Sequence, residues 1–99
     1  NNENINNTKL GVWIYDKHSI KESEYNIDLN TGVYVATVDN NSIGEISGIK
    51  PGDIILSIDK KQVDNVLDFK QKLYEESSKK EIILEVKRDN KVHLIKINA

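Results

Sequence analysis

The 99 residues predict an α+β domain in which strands dominate, with one main helix and one short one. Three observations carry that expectation. Short apolar runs rich in β-branched residues stand at 10–15, 33–38 and 54–58. One stretch, 63–77, places Val66, Phe69, Lys70 and Leu73 at i, i+3, i+4 and i+7, the spacing of a helix face. Two alternating runs, 81–88 and 91–97, are joined by Asp89-Asn90, a tight hairpin signal.

Five of the first seven residues are Asn, a composition that builds no core, so 1–8 reads as a linker and 9–99 as the domain, expected to be a piece of a larger protein. The stretch KLGVWI then opens a strand over Leu10 to Tyr15 that looks buried on both faces. Gly11 within it marks a bulge, a tight bend or a close approach to the backbone. The polar segment after it has Ile20, Tyr25, Ile27 and Leu29 as its anchors and reads as a loop with one helical turn, Ile20 to Tyr25. Gly32 opens the strand VYVATV and Asp39-Asn40-Asn41 closes it. Ser42 with Glu45 three residues on is a capping box, placing a short helix at 43–47 that stops at Gly48. Pro51-Gly52 sets a turn before Ile54 to Ile58, apolar enough to be a central strand. The main helix, about 65–77, has Asp64 or Asn65 as its N-cap and Lys79-Lys80 just beyond its end.

Composition excludes several functions. A net charge of -2 with 30% charged residues creates no field of one sign, so no nucleic-acid partner and no direct membrane contact are expected. The absence of Cys removes disulfides and thiolate chemistry. His18 and His93 stand far apart, Ser42, Ser47 and Ser57 lack a nucleophile elbow, and Asp16, Asp28 and Asp39 lack calcium-loop spacing. No catalytic residue, metal or cofactor is expected in this chain.

LGV at 10–12, GVYVATV at 32–38, GIKPGDIILSID at 48–59, QVDNVLDFKQKL at 62–73 and the hairpin with Arg88-Asp89-Asn90 resemble a PDZ domain of the bacterial type. The spacing from Leu10 to Gly32 is similar to that of the PDZ domains of HtrA (Deg) trypsin-like serine proteases. The resemblance implies a partly open β-barrel or sandwich of five to six strands. It also implies a binding module that comes after a protease domain in the same parent chain, with the cutting residues upstream. An extended peptide would add to a sheet edge with its carboxylate in a nest of backbone amides, those of Leu10, Gly11 and Val12. Ile14, Val66, Lys70 and Leu73 would form the groove, with Phe69 in the core. Taken alone, Val66, Phe69 and Leu73 at helical spacing read most often as core.

An aliphatic pocket implies ligands ending in Val, Leu, Ile, Ala or Phe, or exposed ends of unfolded segments. Val66 stands where domains that prefer Ser or Thr two residues earlier carry His, so no such preference is implied. An extracytoplasmic, bacterial location rests on the resemblance alone. The alternatives are a structural or assembly role, or a PDZ domain of a membrane metalloprotease, a C-terminal processing protease or a Lon-like protease. Two departures stand out: Asp59-Lys60 replaces the usual Asn-Gly, which points to a different turn type there, and Ser42-Ile43-Gly44 replaces Ser-Pro-Ala.

Overall fold

Alternation decides the first strand, β1 (Val12–Tyr15). Val12 and Ile14 are fully buried, while Trp13 and Tyr15 on the other face are half-buried, so only one face is dry. The computed structural model describes residues 10–98, and the linker expected over 1–8 lies outside them. The helical turn expected at Ile20 to Tyr25 is a shorter 3-10 turn, Ser19–Glu22, anchored by buried Ile20. Tyr25 does something else: its ring sits 5.7 Å from that of Tyr15 and 5.5 Å from that of Tyr34, holding the loop against the outer face.

β2 (Val33–Val38) pairs antiparallel with β1, from Val12 opposite Val38 to Tyr15 opposite Tyr34, with a bulge between Trp13 and Ile14. The short helix α1 (Ile43–Ser47) starts at its capping box. Ser42 Oγ accepts the Glu45 amide at 3.1 Å, and the Glu45 carboxylate returns to accept the Asn41 amide at 2.7 Å. Gly48, at φ +106°, takes the left-handed conformation that ends the helix.

β3 (Ile54–Ile58) lies between β2 and the later strand β5 (Glu81–Arg88), as its apolarity on both faces demands. It turns back through Asp59-Lys60 into a two-residue strand, β4 (Lys61–Gln62), too short and polar to leave a periodic signature. Asp59 and Lys60 have φ of 47° and 70°, so the turn keeps the left-handed pair that Asn-Gly would supply. Asp59 offsets the strain: its amide donates to the Ile83 carbonyl at 2.7 Å and its carboxylate accepts the Ile83 amide at 2.8 Å.

α2 (Val66–Glu75) starts at Asn65, whose side chain accepts the Asp68 amide at 2.7 Å, and ends two residues before 77. β5 (Glu81–Arg88) and β6 (Lys91–Asn98) form the closing hairpin across Asp89-Asn90, both left-handed. The sheet runs β1-β2-β3-β5-β6, with β4 paired to β3. Its inner face and α2 share one apolar cluster around Phe69, Ile55, Ile58 and Leu84, all fully buried.

One buried ion pair ties the turn at 48–53 to the hairpin. Asp53 is 1% exposed, and Arg88 grips it with Nε and Nη2, each 2.7 Å from a carboxylate oxygen. Arg88 Nη2 also donates to the Gly48 carbonyl at 2.9 Å, and the Lys50 amide donates to Asp53 at 2.9 Å.

Candidate functional site

The site begins with the peptide planes before β1. The Leu10 carbonyl accepts the Gly44 amide of α1, and the Gly11 carbonyl accepts the Asp39 amide beyond β2, each at 2.8 Å. No peptide bond among the described residues is cis, so in each plane the N–H points opposite to the carbonyl. The amides of Gly11 and Val12 are therefore directed away from α1 and β2, toward the side of β1 that ends the strand order among the described residues.

Gly11 makes that orientation possible. Its φ is +80°, and a Cβ there would lie 2.4 Å from Ser42 Cβ and 2.9 Å from Ser42 Oγ. Of the three readings of this glycine, tight bend and close approach both hold. The bulge lies further on, between Trp13 and Ile14.

Leu10, Val12 and Ile14 come together with Val66 and Leu73 of α2 in the apolar cluster, all 9% exposed or less. Phe69 is fully buried in the same cluster. Lys70 stands one turn beyond Val66 and is half-buried. Trp13 lies on the opposite face from Val12 and Ile14, its indole N–H buried without an acceptor among the described residues.

Asp16 is the residue that sequence reasoning missed. It comes directly after β1 and is 8% exposed. One carboxylate oxygen accepts the amides of His18 (3.0 Å) and Ser19 (2.9 Å) and the Ser19 hydroxyl (3.2 Å), and the other accepts the Val66 amide at 2.8 Å. The end of β1 is thus pinned to the first residue of α2. The signal was present in the spacing Asp16-x-x-Ser19, which suits a side chain capping the turn after it.

Burial pushes the Asp16 carboxyl upward, but the Ser19, Val66 and His18 amides outweigh it and hold it below the ordinary value. A carboxyl whose folded pKa is depressed contributes stability that is full above its unfolded pKa, about 4, and is lost as pH falls through the folded value. Asp16→Asn is expected to lose about 1.5–3 kcal/mol at pH 7 and to show a shallower fall in stability below pH 4 than the parent. Urea unfolding across pH 2 to 7 reads both, and parallel curves would refute the pin.

The backbone turn, the apolar wall and the antiparallel sheet with its long helix define a class: the chain belongs to the PDZ domain family, whose model matches residues 6–99. It is a binding module. Among curated relatives, it is similar to a serine protease HtrA-like of Staphylococcus haemolyticus, 27% identical over 101 residues, covering 82% of this chain and 15% of the relative. A serine protease HtrA-like of Staphylococcus aureus is 36% identical over 70 residues, covering 70% and 9%. The chain thus spans at most about a seventh of the length of these relatives.

Among solved structures, the HtrA3 PDZ domain bound to a phage-derived ligand (FGRWV) superposes with a TM-score of 0.67 at 25% identity, covering 90% of this chain and 81% of that one. The HtrA-type protease AlgW with a decapeptide gives 0.68 at 21% identity, covering 90% and 27%, a likeness of fold. The expected PDZ-like fold is therefore the fold of this chain. Among the described residues no helix is long and apolar enough to cross a membrane.

Proposed function

We propose that this domain captures the apolar C-terminal ends of peptides by strand addition along β1. The carboxylate is held at Leu10, Gly11 and Val12, and the last side chain packs against Leu10, Val12, Ile14, Val66 and Leu73. Lys70 borders the same groove. The observation that carries the reading is the pair of carbonyls at Leu10 and Gly11 bonded inward, which turns the next amides outward. Charge-assisted bonds from such amides contribute about 1.5–3 kcal/mol, and burial of an aliphatic end residue a similar amount. The ligand's last residue is Val, Leu, Ile, Ala or Phe, without preference for Ser or Thr two residues earlier.

The likeness to HtrA-like proteases supports a place in such a parent, where the domain recognises substrate or relays occupancy to a serine endopeptidase domain of the same chain. The HtrA-like relatives are bacterial, and an extracytoplasmic location, in the cell envelope or membrane-anchored on the outer face, follows from the family resemblance alone. No nucleic acid or lipid enters this function.

Fluorescence polarisation with peptides ending in Val, as free acids and as amides, tests the reading. Amidation is expected to weaken binding at least tenfold, since about 1.4 kcal/mol is a factor of ten. Binding indifferent to amidation overturns the carboxylate nest, and binding by neither form points instead to a structural role.

A further inference from the structure

Among the described residues the strand order ends at β6 as well as at β1, and β6 is the longer edge, eight residues against four. Its register with β5 runs unbroken from Lys91 opposite Arg88 to Asn98 opposite Glu81. Its backbone bonds go to β5 alone among the described residues, and α1, which packs against it, makes no backbone bond to it. Native sheets guard such an edge by keeping it short, by a bulge, by a proline or by lysines. β6 is long, straight in register and without proline. Its lysines, Lys91 and Lys96, stand toward its ends, and Lys96 is drawn to Glu81 of β5 at 3.4 Å.

The middle of the strand is apolar on the face turned to solvent. Val92 and Leu94 share the outer face, since successive strand residues alternate, and are 58% and 69% exposed, whereas Ile95 and Ile97 on the inner face are buried. α1 carries two more exposed apolar side chains, Ile43 and Ile46.

Register decides which strand fits this edge. Two copies of β6 joined in one sheet about a two-fold axis run antiparallel, and opposite side chains share a face. An axis at His93 sets Val92 against the partner's Leu94 and Leu94 against the partner's Val92, so each exposed apolar side chain covers another. Lys91 then meets the partner's Ile95, Lys96 meets the partner's Asn90, and no lysine faces a lysine. Other axes lose this match: at Val92, Leu94 falls on Asn90; at Leu94, Val92 falls on Lys96; at Ile95, Leu94 falls on Lys96; at Lys96, the two lysines oppose each other.

We propose that the β6 edge is an interface between two copies of this chain, joined antiparallel about an axis at His93 into one continuous sheet. The symmetry is closed, so assembly stops at two. The interface draws on neither β1 nor α2, and it stands independently of the peptide-capture reading.

Sedimentation velocity on the 99-residue chain tests this. The axis sets His93 against its own copy, so the measurement is made at pH 8, where imidazoles are neutral. The parent is expected to shift from one chain to two between about 10 µM and about 1 mM, the weak range of a small interface. Leu94→Lys and Val92→Glu are each expected to stay monomeric throughout, because each sets a charge against an apolar side chain of the partner. Within its own copy the new cation faces Glu85 and the new anion faces Lys87, so thermal midpoints close to that of the parent are expected and show that both variants are folded. Mixed in equal amounts, the two variants are expected to associate, since the axis at His93 brings the anion of one against the cation of the other and leaves Leu94 on Val92. A parent that stays monomeric overturns the interface, and growth past two chains overturns the closed pair. Dimerisation that survives both substitutions overturns the assignment to β6. A mixture that stays monomeric overturns the axis at His93.

Discussion

Arg88→Met is expected to destabilise the domain by about 3 kcal/mol, enough to lower the urea midpoint by more than any surface substitution would. The reason is the charge it leaves behind. Asp53 is 1% exposed, and without the guanidinium its carboxylate keeps the Lys50 amide as its described donor. Breaking a buried pair by removing one partner costs about 3–5 kcal/mol, because the remaining charge has neither water nor a counterion. The Arg88 side chain is 27% exposed, so the pair is partly screened and the lower end applies. The hydrogen bond to Asp53 raises the guanidinium pKa further, so Arg88 carries its charge throughout.

The double variant Asp53→Leu with Arg88→Met separates the orphaned charge from lost packing. Replacing both partners with apolar groups is expected to recover a large part of the loss, since the penalty lies in the unpaired ion rather than in the missing attraction. A cost below about 1 kcal/mol for Arg88→Met would refute the role of the pair. The loss also reaches the site: Arg88 holds the Gly48 carbonyl at the end of α1, and α1 supplies Gly44 to the Leu10 carbonyl.

Legibility tracked the range of the interactions. The run from Gly48 to Asp53, the capping box at Ser42 and the face of Val66, Phe69 and Leu73 are local patterns, readable because turn, cap and period are written in adjacent residues. The features that escaped are long-range or overridden. Asp16 binds the Val66 amide fifty positions away, and nothing in either neighbourhood announces the other. Lys60 sits left-handed against its own preference because Asp59 is anchored on Ile83 across the sheet. The turn at Ser19–Glu22 is shorter than expected because Tyr25 leaves it to pack between Tyr15 and Tyr34. The apolar residues of the groove were legible as a set, while their division between wall and core was not, since burial makes both demands on the same aliphatic side chains.

Gly11→Ala is expected to abolish high-affinity binding of a Val-ended peptide and to destabilise the fold by about 2–3 kcal/mol, with Gly11→Val worse. Two physical costs combine. A left-handed φ of +80° strains an L-residue by about 1–2 kcal/mol, more for a β-branched one. The added Cβ also falls 2.4 Å from Ser42 Cβ, which no contact tolerates, so the bend or the N-cap of α1 must move. Either movement swings the Gly11 and Val12 amides away from their common direction. Ser42→Gly distinguishes the two costs, because it removes both colliding atoms and, as an N-cap change from Ser to Gly, costs only a few tenths of a kcal/mol. The double variant Gly11→Ala with Ser42→Gly is expected to regain the steric share of stability and to retain about 1–2 kcal/mol of backbone strain. Thermal unfolding and peptide titration on the four proteins of this cycle read the result. Should Gly11→Ala bind and unfold like the parent, amides aimed by a left-handed residue cannot be what holds the ligand's carboxylate.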